Sequence, residues 1–191
     1  MNLQQDNCIN SLSNDKLENH FGINVQELAF VNKINIRINP NDQKNIIKCG
    51  KITGTILPIK PNTYAQNENI KVIWLGPNEW LITNNNNLYK NLRNEIGDVD
   101  ASITDVSENR TVLRISGEKI YKLLSKFLVL DLESNLPNES SCAQTLFVKV
   151  PVLLVRNNDD KQIPEIDIFT NRSHANYIYN LIVDGSQYLD F

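Results

Sequence analysis

The histidines and cysteines are the residues whose chemistry best suits catalysis or metal binding. His20 and His174 lie far apart in the sequence. Cys8, Cys49 and Cys142 are isolated from one another, and no pair has the C-x-x-C spacing typical of a zinc or redox site. We interpret the cysteines as small buried hydrophobic side chains. These residues therefore predict no catalytic group and no metal ligand.

Glycine-rich phosphate loops are missing from the sequence. Neither G-x-G-x-x-G nor G-x-x-x-x-G-K-[ST] occurs, and residues 49–54, CGKITG, have the right letters without the spacing. No segment has the G-x-S-x-G pattern of a nucleophile elbow. We therefore expect this chain to hold no cofactor of its own.

Asp105 and Arg110 stand at the two ends of the short segment DVSENR. A carboxylate can accept turn N–H groups and can also pair with a guanidinium. We interpret the two residues as bracing a connection between strands. Ligand binding by the same pair is the alternative.

The other candidate interface or structural residues are two tryptophans and two residues at the start of the last predicted helix. Trp74 and Trp80 flank the turn Gly76-Pro77, which suits core packing or an aromatic anchor at a subunit interface. Arg172 precedes the last predicted helix and is interpreted as a partner or anion contact. His174 lies in the first turn of that helix, where we expect a surface or interface side chain.

Apolar periodicity places these candidates on short strands and single helices. Strands are predicted at 30–39, 71–75, 80–83, 101–106, 111–116, 146–156 and around 166–168. Helices are predicted at 41–49, 88–96, 117–127 and 173–182. Antiparallel hairpins that alternate with single helices predict an α+β fold.

Capping residues and one proline set the expected boundaries. Asn41 and Ser173 are predicted N-caps, and Gly185 is the predicted C-terminal stop of the last helix. Pro151 cannot donate to a ladder, so it predicts a sheet edge or a bulge within 146–156.

Composition limits the possible partners and compartments. The chain has 191 residues, 41% of them hydrophobic, and a net charge of -3. There is no basic footprint for nucleic acid and no apolar run long enough to span a membrane. The N-terminus lacks signal-peptide features, which favours the cytoplasm. We expect a polar arm at 1–26 and one domain at 27–191.

Several longer motifs can be compared with known protein families. Residues 74–81 read WLGPNEWL, and residues 57–63 read LPIKPNT. Residues 105–117 have the pattern D-V-S-x-x-R-x-x-x-R-I-S-G, followed by CAQT at 142–145 and RSHANY at 172–177. Together these motifs resemble the sarcosine oxidase gamma subunit family, and the resemblance covers about residues 27–191. The tryptophan motif is specific, whereas the D-V-S motif is shared with the wider aminomethyltransferase family.

The resemblance implies a folate-binding, aminomethyltransferase-like fold. It also implies a heterotetramer whose alpha subunit carries NAD and folate, whose beta subunit carries FAD and FMN, and whose delta subunit binds zinc. Such a complex oxidises sarcosine to glycine and passes the one-carbon unit to tetrahydrofolate. The gamma subunit owns none of these sites, so the resemblance implies an accessory chain that is inactive alone.

Three alternatives remain open at this point. The chain could serve another N-methyl amino acid dehydrogenase, such as N-methylglutamate dehydrogenase. It could be a free-standing folate-binding protein of the aminomethyltransferase type, although only about half of such an enzyme is expected to fit in this length. A scaffold without folate is the third. Flavoprotein genes beside this one would favour a flavoenzyme subunit.

Overall fold

The computed structural model describes residues 22–84, 88–97, 101–187 and 189, which belong to two compact units. We call residues 31–107 the inserted unit, and the chain before and after it the split unit. Residues 1–21 of the predicted arm at 1–26 lie outside the described residues. Residues 23–26 of the arm belong to strand β1, Ile23–Glu27, in the split unit. No helix in the described ranges is both long and apolar enough to cross a bilayer.

The inserted unit is a five-stranded antiparallel sheet with two helices. Its elements are β2 Asn32–Ile38, α1 Gln43–Thr53, β3 Tyr64–Gln66, β4 Ile70–Gly76, β5 Glu79–Asn84, α2 Tyr89–Ile96 and β6 Ala101–Asp105. The strand order is β3-β4-β5-β2-β6. The alternating isoleucines that predict β2 are all buried: Ile34, Ile36 and Ile38.

The split unit is also a five-stranded antiparallel sheet. Its further elements are β7 Arg110–Gly117, α3 Ile120–Leu124, α4 Leu132–Asn135, β8 Cys142–Phe147, β9 Val150–Arg156, β10 Glu165–Asn171 and α5 Ala175–Ser186. The strand order is β1-β7-β10-β9-β8. Its core includes Leu113, Ile115 and Ile168 of the sheet with Ile178 and Ile182 of α5. The predicted α+β class is confirmed.

The hairpin predicted from strands 101–106 and 111–116 is wrong. β6 pairs with β2 in the inserted unit, whereas β7 pairs with β1 and β10 in the split unit. The consecutive buried residues of β7 at 111–113 suit a central strand with two partners. A four-residue connection resembles a hairpin loop in sequence, but here it leads from one unit to the other.

The predicted ends of α1 are displaced. The helix begins after Asp42, not Asn41, because the Asp42 side chain accepts a hydrogen bond from the main-chain N–H of Asn45 at 3.1 Å. The helix also continues past Cys49 to Thr53. Its buried positions, 45, 49 and 53, follow one helical face, so packing extends the helix through Gly50.

Both predicted ends of the last helix are also wrong. A 3-10 turn, Arg172–His174, precedes α5, and Ser173 does not cap the helix. Gly185 lies inside α5, at a position where a Cβ would be only 2.7 Å from Cζ of Phe127. Gly185 therefore permits close packing of the helix and does not end it.

Pro151 lies in β9, between β8 and β10 in the sheet order. It is opposite Leu146 of β8, whereas β10 pairs with β9 only over residues 153–156. β9 is thus a central strand that becomes a local edge at Pro151, where no N–H is needed on the β10 side.

Candidate functional site

The D-V-S segment forms a hydrogen-bonded clasp at the end of β6. The Asp105 Oδ1 atom accepts from the main-chain N–H of Ser107 at 3.0 Å and from its hydroxyl at 2.5 Å. The Ser107 Oγ atom in turn accepts from the main-chain N–H of Lys33 at 2.9 Å. The carboxylate therefore orients the serine that binds β2.

Lys33 is the buried cation of this clasp, with 2% of its surface exposed. Its ammonium donates to the carbonyl oxygens of Val31 at 2.7 Å and Ser107 at 3.4 Å. A buried ammonium needs such oxygen partners because it has left water. Val31 and Ser107 are the first and last residues of the inserted unit, so Lys33 joins the two ends of that unit.

Arg110 stands at the start of β7, in the split unit, opposite Asn171 of β10. The Asp105 carboxylate accepts its hydrogen bonds from Ser107, which lies in the inserted unit. Asp105 therefore stabilises the end of β6 through its hydrogen bonds to Ser107. The sequence could not show this, since Lys33 is 74 residues from Ser107.

The two tryptophans face each other across the β4–β5 hairpin. Trp74 and Trp80 are direct cross-strand partners, with a register shift between Trp74 and Gly76. Trp80 is 1% exposed, and its indole N–H donates to the Pro58 carbonyl at 2.8 Å. Trp74 is half-buried against the same apolar cluster. Trp80 is therefore a core residue, while an interface role for Trp74 stays a prediction.

Arg114, in the same motif as Asp105, forms a two-point ion pair within the split sheet. Its Nε lies 2.7 Å from Oδ1 of Asp167, and its Nη2 lies 3.0 Å from Oδ2. The two residues are opposite each other on β7 and β10. The hydrogen bond to Asp167 raises the pKa of Arg114, against the lowering effect of burial. This pair fixes β7 against β10.

The start of α5 engages its own neighbours. Arg172 pairs with Glu108, and its main-chain N–H donates to the Asn109 carbonyl at 3.1 Å. His174 is half-buried, and its Nδ1 has no hydrogen-bond partner within the described ranges. Contact of either residue with a subunit or an anion stays a prediction.

Two cysteines confirm their interpretation as buried hydrophobic residues. Within the described residues, Cys49 and Cys142 are not disulfide-bonded, and they are 0% and 1% exposed. Burial raises the pKa of each thiol to about 12, so each is protonated at neutral pH and is a poor nucleophile. Cys8 and His20 lie outside the described residues. Within the described ranges, no three His, Cys, Asp or Glu side chains form a metal-binding group.

Arg156 is a buried cation that the sequence reasoning missed. It is 2% exposed and donates to the carbonyls of Asn158 at 2.7 Å, Asp160 at 2.6 Å and Leu136 at 3.3 Å. It also donates to the Tyr121 hydroxyl. Arg156 thereby shapes the loop that links β9 to β10. A lone arginine at the end of an apolar strand, before NNDD, was the available signal.

Solved structures place this fold in a class. Aminomethyltransferase T of the glycine cleavage system from Bartonella henselae matches with a TM-score of 0.60 and 9% identity, over 87% of this chain and 46% of that one. A chain of the heterotetrameric sarcosine oxidase from Corynebacterium sp. U-96, in complex with pyrrole 2-carboxylate, matches with a TM-score of 0.78 and 24% identity. The match covers 88% of this chain and 86% of that chain. The chain thus has the expected aminomethyltransferase-like fold.

Sequence comparison identifies the family within that class. The model of the sarcosine oxidase, gamma subunit family matches residues 37–188. Sarcosine oxidase subunit gamma of Corynebacterium sp. (strain P-1) is 29% identical over 140 residues, which are 72% of this chain and 68% of that protein. Sarcosine oxidase subunit gamma of Arthrobacter sp. is 28% identical over 138 residues, which are 71% of this chain and 68% of that protein. The chain belongs to the sarcosine oxidase gamma subunit family, which confirms the resemblance.

Proposed function

We propose that this chain is the non-catalytic gamma subunit of a heterotetrameric sarcosine oxidase. The family match over residues 37–188 is the observation that carries the proposal. Its partners are then the alpha, beta and delta subunits of a cytoplasmic complex. That complex oxidises sarcosine to glycine and transfers the one-carbon unit to tetrahydrofolate. FAD, FMN, NAD and tetrahydrofolate are held by the other subunits.

The contacts of the motif residues support a non-catalytic role. Trp80 fills the core of the inserted unit, and Asp105 orients Ser107 within the clasp. Arg114 is engaged with Asp167 in the sheet. The thiols of Cys49 and Cys142 are buried, with a pKa of about 12. Each of these side chains therefore has a structural task in the chain's own fold.

Co-expression with the genes for the proposed partners tests the assignment. The chain purified alone should show no flavin absorbance and no oxidation of sarcosine. The co-purified complex should be yellow, contain this chain and oxidise sarcosine. Omission of this chain from the same expression is the matched control, and it should lower the yield of assembled complex.

Three results would contradict parts of the proposal. Flavin bound to the lone chain in stoichiometric amount would contradict the non-catalytic role. Faster turnover of N-methylglutamate than of sarcosine by the complex would assign it to a different N-methyl amino acid. Tetrahydrofolate binding by the lone chain would instead favour an aminomethyltransferase-like role.

A further inference from the structure

The sheet of the split unit opens between β9 and β10. Their ladder ends at the pair Phe169–Leu153. If it continued in register, Asn171 would be opposite Pro151, which has no N–H to donate. The separated strand ends enclose a cleft of about 150 Å³. The cleft lies beside Pro151 and within one unit.

The lining of this cleft combines one cation, neutral polar groups and an apolar wall. The residues that line it are Arg110, Gln144, Thr145, Pro151, Val152, Leu153, Phe169, Thr170 and Asn171. Among the described residues that line the cleft, there is one guanidinium and no carboxylate. Its charge therefore favours an anion over a cation.

Thr170 gives an independent indication of a ligand. The residue is 1% exposed, and its Oγ1 atom has no hydrogen-bond partner in the described part of the chain. A buried hydroxyl without a partner destabilises the folded state, because it has lost its hydrogen bonds to water. Retention of such a group beside a cleft is expected when a bound molecule supplies the missing partner.

We propose that this cleft binds a small organic carboxylate. The carboxylate pairs with the guanidinium of Arg110, a side chain whose planar fork suits carboxylates. The hydroxyl of Thr170 makes the second polar contact. The carbon body of the ligand packs against Phe169, Leu153 and Pro151. This site lies on a chain that we propose is non-catalytic, so the ligand is bound and not converted.

The volume of the cleft limits the size of the ligand. A cavity of roughly this volume in another protein holds one benzene molecule. A carboxylate of about six non-hydrogen atoms therefore fits, and a ligand of this size can reach a dissociation constant of roughly 1 mM. Butyrate is a suitable probe, and butyramide is its neutral analogue of the same shape.

Amide NMR of the full chain tests the proposal. Titration with sodium butyrate should shift the resonances of residues 152–153 and 169–171 in a saturable manner. Butyramide and sodium chloride at equal concentration should not. Arg110→Gln should weaken butyrate binding about tenfold or more. Arg37→Gln, which removes an exposed guanidinium of the inserted unit outside the lining, is the matched control and should bind as the wild type does.

Thr170→Val separates a ligand contact from a structural role. The variant should bind butyrate about tenfold more weakly, because the hydroxyl contact is lost. Its melting temperature should equal or exceed that of the wild type, because a buried unpaired hydroxyl has been removed. A lower melting temperature would assign the hydroxyl to the fold and overturn its role as a ligand contact. Equal shifts with butyramide or chloride, or wild-type binding by Arg110→Gln, would overturn the carboxylate site.

Discussion

The inserted unit and the split unit are both built on a five-stranded antiparallel sheet, but they use charged side chains differently. The inserted unit buries one charged residue among those described, Lys33, whose ammonium donates to main-chain carbonyls. The split unit buries Arg156 and Asp167, and Asp167 forms a two-point ion pair with Arg114. Among the described residues, an ion pair with a buried carboxylate is thus found in the split unit, whereas the Arg37–Glu79 pair of the inserted unit is more exposed.

The motif that identifies the family and the candidate ligand cleft lie in different units. The specific motif at 74–81 lies in the inserted unit, where Trp80 and its partner strand build an apolar core. The open ladder and the unpartnered Thr170 hydroxyl lie in the split unit. A diagnostic motif can therefore report on folding while the candidate binding site lies elsewhere in the chain.

The largest expected effect is that of Trp80→Ala. Loss of this buried ring should lower the free energy of unfolding by about 3–5 kcal/mol. Alkylation of the buried thiols measures how often each unit unfolds, and Cys8→Ser removes the remaining cysteine. In this background, Trp80→Ala should increase the alkylation rate more at Cys49, in the inserted unit, than at Cys142, in the split unit. Trp80→Phe keeps a ring and should cost less. Equal acceleration at both thiols would show that the units unfold together.

Gly117→Ala makes the corresponding change in the split unit. Gly117 has a φ of 137°, and a Cβ there would lie 2.0 Å from the Gly22 carbonyl oxygen. The variant should lose about 3 kcal/mol, from backbone strain and overpacking. Gly97→Ala is the control, since Gly97 also has a positive φ but has open space around it. A similar loss in both variants would contradict the role of close packing.

Asp167→Asn tests the charge pair that distinguishes the split unit. Chemical denaturation should show a loss of about 2 kcal/mol, because Arg114 loses a charge-assisted partner. Glu165→Gln is the matched control. Glu165 lies 3.4 Å from the same guanidinium but is 29% exposed, so its loss should cost about 0–1 kcal/mol. Equal losses would show that burial does not strengthen the pair.

Alkaline pH should weaken both units through their buried thiols. Each folded-state pKa is raised from 9.0 to about 12, so folding favours the protonated thiol. The contribution of the protonated thiols to the free energy of unfolding is complete below pH 9, and it is lost as the pH rises from 9 towards 12. Each thiol contributes about 1.4 kcal/mol per pH unit in that window. Cys49→Ala and Cys142→Ala should each flatten the decline, and an unchanged slope would contradict this origin.

Asp105→Asn should have the smallest effect, about 1 kcal/mol. An asparagine oxygen can still accept from Ser107, but without the negative charge. Ser107→Ala should cost more, because it leaves the main-chain N–H of Lys33 without its acceptor. A double-mutant cycle between positions 105 and 107 should give a coupling energy. Additive losses would show that Asp105 does not act through Ser107.

Local patterns predicted most strands because their information lies in adjacent residues. The isoleucine alternation in β2 and the Gly-Pro turn of the β4–β5 hairpin are examples. The failures occur where a distant contact competes with a local signal. Gly185 lies within α5 with Phe127 packed closely against it, and Ser173 does not cap the helix because a 3-10 turn precedes it.

The sequence by itself determined the α+β class, the family and the burial of Cys49 and Cys142, since periodicity, motifs and side-chain polarity are local properties. Only the tertiary structure decided that β6 and β7 belong to different sheets. It also decided that Lys33 joins the ends of the inserted unit and that Arg114 pairs with Asp167. Lys33 and Ser107 are 74 positions apart in the sequence, and Arg114 and Asp167 are 53 positions apart. Strand pairing and burial of charge depend on which distant segments meet, and no local pattern encodes that choice.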